Sequence, residues 1–98
     1  MSTIKKRYRV DGQDEYAIEL RPQSNGTFKV FATACPEDVH GEGPTTHHRY
    51  STGEICVTEG REPRTADRAT AIALAWVDGY SEYLKSGSFP NGAKKIRV

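Results

Sequence analysis

The residue with the clearest chemical potential is Cys56, in the run Gly53-Glu54-Ile55-Cys56-Val57, nine residues after His47 and eight after His48. A thiolate is the nucleophilic form of cysteine, and a neighbouring cation, base or hydrogen-bond donor favours it. Relay of an acyl group through such a thiol needs three things: an accessible sulfur, a way to hold thiolate, and donors for the tetrahedral oxyanion. Ile55 and Val57 are in phase on a strand and Cys56 is opposite, so if the first two point inward the sulfur points outward. Gly53 supplies a turn at which backbone can approach a thioester closely. His48 or Arg49 would stabilise negative charge nearby, and Glu54 and Glu59 would oppose it. Cys56, His48 and His47 are therefore the candidate catalytic residues. The competing reading is a space-filling thiol, since cysteine is among the most buried residue types, and the residue types alone leave both open.

The other reactive groups carry less. Cys35, at a strand end before Pro36, is expected to pack. His40, His47 and His48 read as surface loop residues. Zinc held by Cys35, Cys56 and these histidines would have suitable donor atoms, but the spacing is not the tight clip of a structural site. No metal and no organic cofactor is expected. The acidic pairs Asp14-Glu15 and Glu37-Asp38 fall in turns, with no partner in view for general acid-base work. Lys5, Arg7 and Arg9 share one face of the first strand, and Lys94, Lys95 and Arg97 cluster at the other end of the chain. Paired, they would form a basic patch; the plainer reading is a charged edge that discourages strand aggregation.

These residues must be positioned by strands followed by a helix. Ile4 to Val10 alternates with period two, as do Tyr16-Ile18-Leu20 and Phe28-Val30-Ala32, with turn signals at Asp11-Gly12 and Ser24-Asn25-Gly26. These segments predict an antiparallel meander. Cys35 to Pro44 reads as loop, Thr45 to Tyr50 as a weak strand, and Glu54 to Thr58 as a brief strand. Ala69, Ile72, Ala73, Trp76, Val77, Tyr80, Tyr83 and Leu84 form one apolar stripe at helical spacing, with Thr65 as N-cap and Gly87 just past the end. Lys94 to Val98 would add an edge strand or fray. The expectation is a single α+β domain over residues 1–98, with about four antiparallel strands and one long C-terminal helix across a face. Its core should join Tyr16, Ile18, Leu20, Phe28 and Val30 to Ile72, Trp76, Val77 and Tyr80.

Composition narrows the class without giving a function. The chain has 98 residues, with 14 Lys and Arg against 13 Asp and Glu, a net charge of +1. That balance does not point to a nucleic-acid binder. No run approaches the roughly 18 apolar residues of a membrane span. The start has charge but no apolar core, so no signal peptide is expected. Two cysteines make no disulfide framework, which leaves the cytoplasm as the expected compartment.

The order of motifs from Gly26 to Cys56 resembles the core of the ubiquitin-conjugating enzyme family. Gly26-Thr27-Phe28 opens a strand, Pro36 and Pro44 follow, His47-His48 come next, and Gly53-Glu54-Ile55-Cys56-Val57 closes the set. The family has a meander with Gly-x-Phe, a proline-rich loop, a His-Pro-Asn element and Gly-x-Ile-Cys-Leu, whose cysteine carries ubiquitin as a thioester. Tyr83 to Pro90, with Trp76 and Tyr80 on the preceding helix, is similar to the end of compact bacterial relatives. The resemblance covers roughly Tyr16 to Pro90. It implies the conjugating-enzyme fold and transfer or recognition of a ubiquitin-like protein through Cys56, with His48 orienting or polarising. It also implies a ubiquitin-like protein and an activating enzyme as partners. Arg49-Tyr50 stand where the family has Pro-Asn, so its oxyanion-stabilising asparagine has no counterpart, and no room for the family's N-terminal helix is expected. The alternative function is a non-catalytic interaction module, taking nucleic acid or an acidic partner through the terminal basic residues, with nucleic acid the less favoured.

Overall fold

The computed structural model describes residues 2–57 and 60–89, residues 44 and 45 by their backbone alone. Three strands, β1 (Ile4–Val10), β2 (Asp14–Pro22) and β3 (Phe28–Ala34), precede a helical turn α1 (Pro44–His47) and a long helix α2 (Ala66–Ser86). The strands form an antiparallel sheet in the order β1-β2-β3. Asp11 and Gly12 turn β1 into β2, both at positive φ (53° and 70°). Between β2 and β3 the Asn25 carboxamide oxygen accepts from the backbone N–H and the hydroxyl of Thr27, and Gly26 sits at φ 87°.

Alternation along the strands decides which face is covered. Tyr16, Ile18, Leu20, Val30 and Ala32 are buried beneath α2, joined by Ala69, Ile72, Ala73, Trp76, Val77, Tyr80 and Tyr83, with Phe28 packed against the cluster. Each element has only one apolar face, and burying these faces together leaves the charged ones in water. Trp76 stacks on Tyr80 at 4.7 Å between centroids and meets Tyr16 edge-on at 5.8 Å. Burial of the Tyr16 hydroxyl is compensated by Ser81 Oγ at 2.6 Å. Thr65 caps α2 by accepting from Arg68 N, and Gly87 closes it at φ 82° with its N–H on the Tyr83 carbonyl.

The α+β class and the long helix agree with the sequence reading, but the strand count does not. There are three strands among the described residues, not about four. Residues 53–55 run beside β3 through Ala32 N to Gly53 O (2.8 Å) and Ile55 N to Val30 O (2.9 Å), yet only isolated bridges form. A side chain interrupts the ladder: Arg49 Nε and Nη2 both donate to the Ala32 carbonyl, at 3.1 and 2.8 Å. The expected strand from Thr45 to Tyr50 is replaced at its start by α1, whose His47 N–H bonds to Gly43 O. Asp14 and Glu15 lie in β2 rather than in a turn. The expected tail strand from Lys94 to Val98 lies outside the described residues.

Candidate functional site

Cys56 is positioned by a tight hairpin. Tyr50 N–H donates to Glu54 O, Gly53 N–H to Tyr50 O, and Cys56 N–H to His48 O, each at 2.8 Å, around the facing pair Arg49 and Ile55. A three-residue connection of this kind ends on a residue of positive φ, and Gly53 supplies it at 95°. Space also requires glycine here, because a Cβ would stand 3.0 Å from the Ala32 carbonyl oxygen. The Arg49 bonds to that same carbonyl tie the hairpin to the sheet.

The hairpin brings Cys56 and Tyr50 together. Tyr50 stands diagonally across from Cys56 on the same face of the hairpin, and the influence of the Cys56 thiol, the largest of the causes, raises the tyrosine's pKa above its ordinary value. Tyr50 is 43% exposed and Cys56 only 5%. The expected surface position of Cys56 is therefore corrected. The phase argument set Cys56 opposite the buried Ile55, but it could not see what the rest of the fold lays over that face. Beside Tyr50 lies a groove of about 500 Å³, lined by Phe28, Lys29, Tyr50, Glu54, Val57 and Pro63, with Cys56 outside its lining.

The histidines are corrected in part. His40 is exposed as expected; His47 and His48 are buried, because α1 turns them inward against α2 and Phe89. The His47 ring meets Tyr80 and Tyr83 edge-on at 5.7 and 5.8 Å. Its Nδ1 accepts from Arg49 N at 3.3 Å, so Nε2 carries the proton toward Asp38 Oδ2, also at 3.3 Å. Burial is the main cause that lowers the His47 pKa below 6.5, against the opposing pull of Asp38. His48 takes φ 60°, and its ring packs edge-on against Phe89 at 4.9 Å. Its backbone carbonyl bonds to Cys56 N–H.

Asp38 has the partners that the sequence reading did not find. Oδ1 accepts from the Tyr83 hydroxyl (2.6 Å), His40 N (3.1 Å) and Gly41 N (2.9 Å). Burial pushes its pKa up, but these bonds outweigh it and hold the carboxyl below the usual range. Burial, then the bond to Asp38, pushes Tyr83 up to about 12. Cys35 is half-buried; burial raises its pKa, partly offset by Arg49 and by Tyr80. The Asp38-x-x-Gly41 spacing was the legible signal for this loop, since an aspartate accepts from amides two and three residues on. Its contact with His47 is non-local and left no such signal.

Among the described residues, no group of three His, Cys, Asp or Glu side chains could hold a metal ion, and no helix is long and apolar enough to cross a membrane. Compared with protein-family models, curated proteins and solved structures, the chain matches none.

Proposed function

We propose that this chain is a compact relative of the ubiquitin-conjugating enzymes that accepts a ubiquitin-like protein on Cys56. The observation that carries the reading is the pairing of Arg49 with Ile55, which sets Tyr50 diagonally across from Cys56 on the same face of the hairpin. Tyr50 stands where the resemblance puts the family's oxyanion-stabilising asparagine. A phenol with a raised pKa stays protonated at neutral pH, so it can donate to a thiolate and then to an oxyanion formed at the same sulfur. The chain thus has a donor at the position where the motif lacks its asparagine.

In the reaction, Cys56 Sγ attacks the C-terminal carbonyl of the ubiquitin-like protein held as a thioester on an activating enzyme. The new C–S bond forms at Cys56, the C–S bond to the activating enzyme breaks, and the Cys56 proton goes to the departing thiolate. Tyr50 must swing aside to admit the carbonyl, and the groove along Phe28, Tyr50 and Val57 would receive the extended C-terminus. His48 acts through its carbonyl, fixing the Cys56 backbone. His47, committed to Asp38 and Arg49, supports the loop instead of acting as a base.

The test uses ubiquitin carrying a small-molecule C-terminal thioester as donor. The expected result is an adduct cleaved by dithiothreitol, present with Cys35→Ala, absent with Cys56→Ala, and slowed in Tyr50→Phe. Thiol labelling gives the second readout: Tyr50→Ala should speed modification of Cys56 and leave Cys35 unchanged. No reducible adduct, together with Cys56 labelling indifferent to Tyr50, would remove the reading.

A further inference from the structure

The face of the sheet away from α2 carries a row of cations on its outermost strand. β1 pairs only with β2, so among the described residues its other edge is open. Lys5, Arg7 and Arg9 are exposed, and Ile4, Lys6, Tyr8 and Val10 between them are half-buried. Arg9 is paired with Glu15 at 3.1 Å. Lys5 faces Glu19 across the strands, but the Glu19 carboxylate is held by Arg21 at 2.9 Å. Arg7 faces Ala17, which offers no charge. Lys5 and Arg7 thus form no ion pair among the described residues.

We infer that β1 is a docking edge for an extended acidic peptide in which carboxylates alternate with apolar residues. This inference does not rest on the chemistry of Cys56. Main-chain hydrogen bonds to the open edge supply affinity in strand addition, and alternate side chains supply specificity. Side chains two apart on a strand stand roughly 6.6 Å apart. Carboxylates at every second position of an added strand therefore come opposite Lys5, Arg7 and Arg9. The intervening apolar residues extend the half-buried row of Ile4, Tyr8 and Val10. The guanidinium of Arg7, unclaimed within the sheet, can take a carboxylate by two parallel bonds. The same charges repel basic strands and would be desolvated without compensation beside neutral ones, so the edge is selective as well as protected. A nucleic-acid strand suits it less, because Glu15 and Glu19 lie beside the cations on β2 and would meet a phosphate backbone crossing the face.

The experiment titrates the full-length ¹⁵N-labelled protein with a capped heptapeptide of alternating Glu and Val. Controls are the same composition with the glutamates contiguous, an alternating Lys-Val heptapeptide, and a thymidine oligonucleotide. The expected result is saturable shifts confined to β1 and its β2 neighbours for the alternating acidic peptide. Affinity should weaken with salt and fall about tenfold or more in Arg7→Glu, whose exposed position leaves folding intact. Equal binding of the contiguous-glutamate control would reduce the effect to bulk charge and overturn the inference. So would tighter binding of the oligonucleotide, or no binding of the alternating acidic peptide.

Discussion

Gly53→Ala should be much more damaging than Gly26→Ala, and the comparison isolates what the hairpin demands. Both glycines have positive φ, 95° and 87°. Forcing a side chain into that region costs about 1–2 kcal/mol. The stiffening of the unfolded chain by alanine, about 0.4–1 kcal/mol in the other direction, is common to both sites. The two differ in surroundings: a Cβ at Gly26 meets nothing within 4 Å, whereas at Gly53 it stands 3.0 Å from the Ala32 carbonyl oxygen and 3.5 Å from Arg49 Nη2. That carbonyl is backbone of β3 and already holds the Arg49 guanidinium, so a shift of a few tenths of an ångström away from the new methyl strains two bonds as well as the sheet. Overpacking of this kind typically costs about 1–3 kcal/mol. The expected difference between the variants is that 1–3 kcal/mol, read as the gap in unfolding free energy from urea titrations at equal m-value. Gly53→Ala should also speed labelling of Cys56, because the hairpin that positions it loosens. A Gly53→Ala no worse than Gly26→Ala would refute the steric argument, and with it the claim that this turn places the thiol.

Trp76→Ala should cost about 3–5 kcal/mol for an indole that is fully buried. Trp76→Phe keeps a ring but orphans the His47 carbonyl that accepts from Nε1 at 2.8 Å, costing about 1–3 kcal/mol; an unchanged melt in either variant would contradict the packing. The lowered pKa of His47 makes the folded state bind its proton less readily than the unfolded one. Stability from this group therefore rises with pH up to about 6.5 and is lost on acidification through that window; His47→Gln should flatten that part of the pH profile, and a profile as steep as before would reject it. The lowered pKa of Asp38 adds a second loss below about 3.8. Gly79→Ala should destabilise despite better helix propensity, because its Cβ would fall 2.5 Å from Phe89 Cζ and push that ring off His48; a stabilised variant would show that Phe89 does not seat there.

Periodicity made the sheet, the helix and the core legible, since alternation in Tyr16-Ile18-Leu20 and the stripe through Trp76 each report one buried face. Caps were legible for the same local reason: Thr65 and Gly87 act within one turn of their own backbone. The hairpin was visible as Ser51-Thr52-Gly53, but its consequences were not. Whether Cys56 is covered depends on which residue lies across from it, and that register follows from the pairing of Arg49 with Ile55. Likewise Arg49 read as a charge near the thiol, while in the fold it replaces a strand partner on Ala32. His47 read as a loop residue because nothing local shows that Asp38, nine residues earlier, closes a turn against Tyr83.

A sheltered thiol is compatible with transfer if the shelter is a surface side chain rather than the core. Exposing a residue such as Trp76 would require the helix to leave the sheet, at a large share of a small domain's stability. Tyr50, already 43% exposed, can turn away from Cys56 with no such rearrangement. Rotations of exposed side chains are fast, picoseconds to nanoseconds. The quantity that tests this is the labelling rate of Cys56 in wild type against Tyr50→Phe, which removes the hydroxyl but keeps the ring. A modest acceleration in Tyr50→Phe and a larger one in Tyr50→Ala fit a gate of one side chain. Protection unchanged in both Tyr50→Phe and Tyr50→Ala would mean that the thiol is held shut by the rest of the fold.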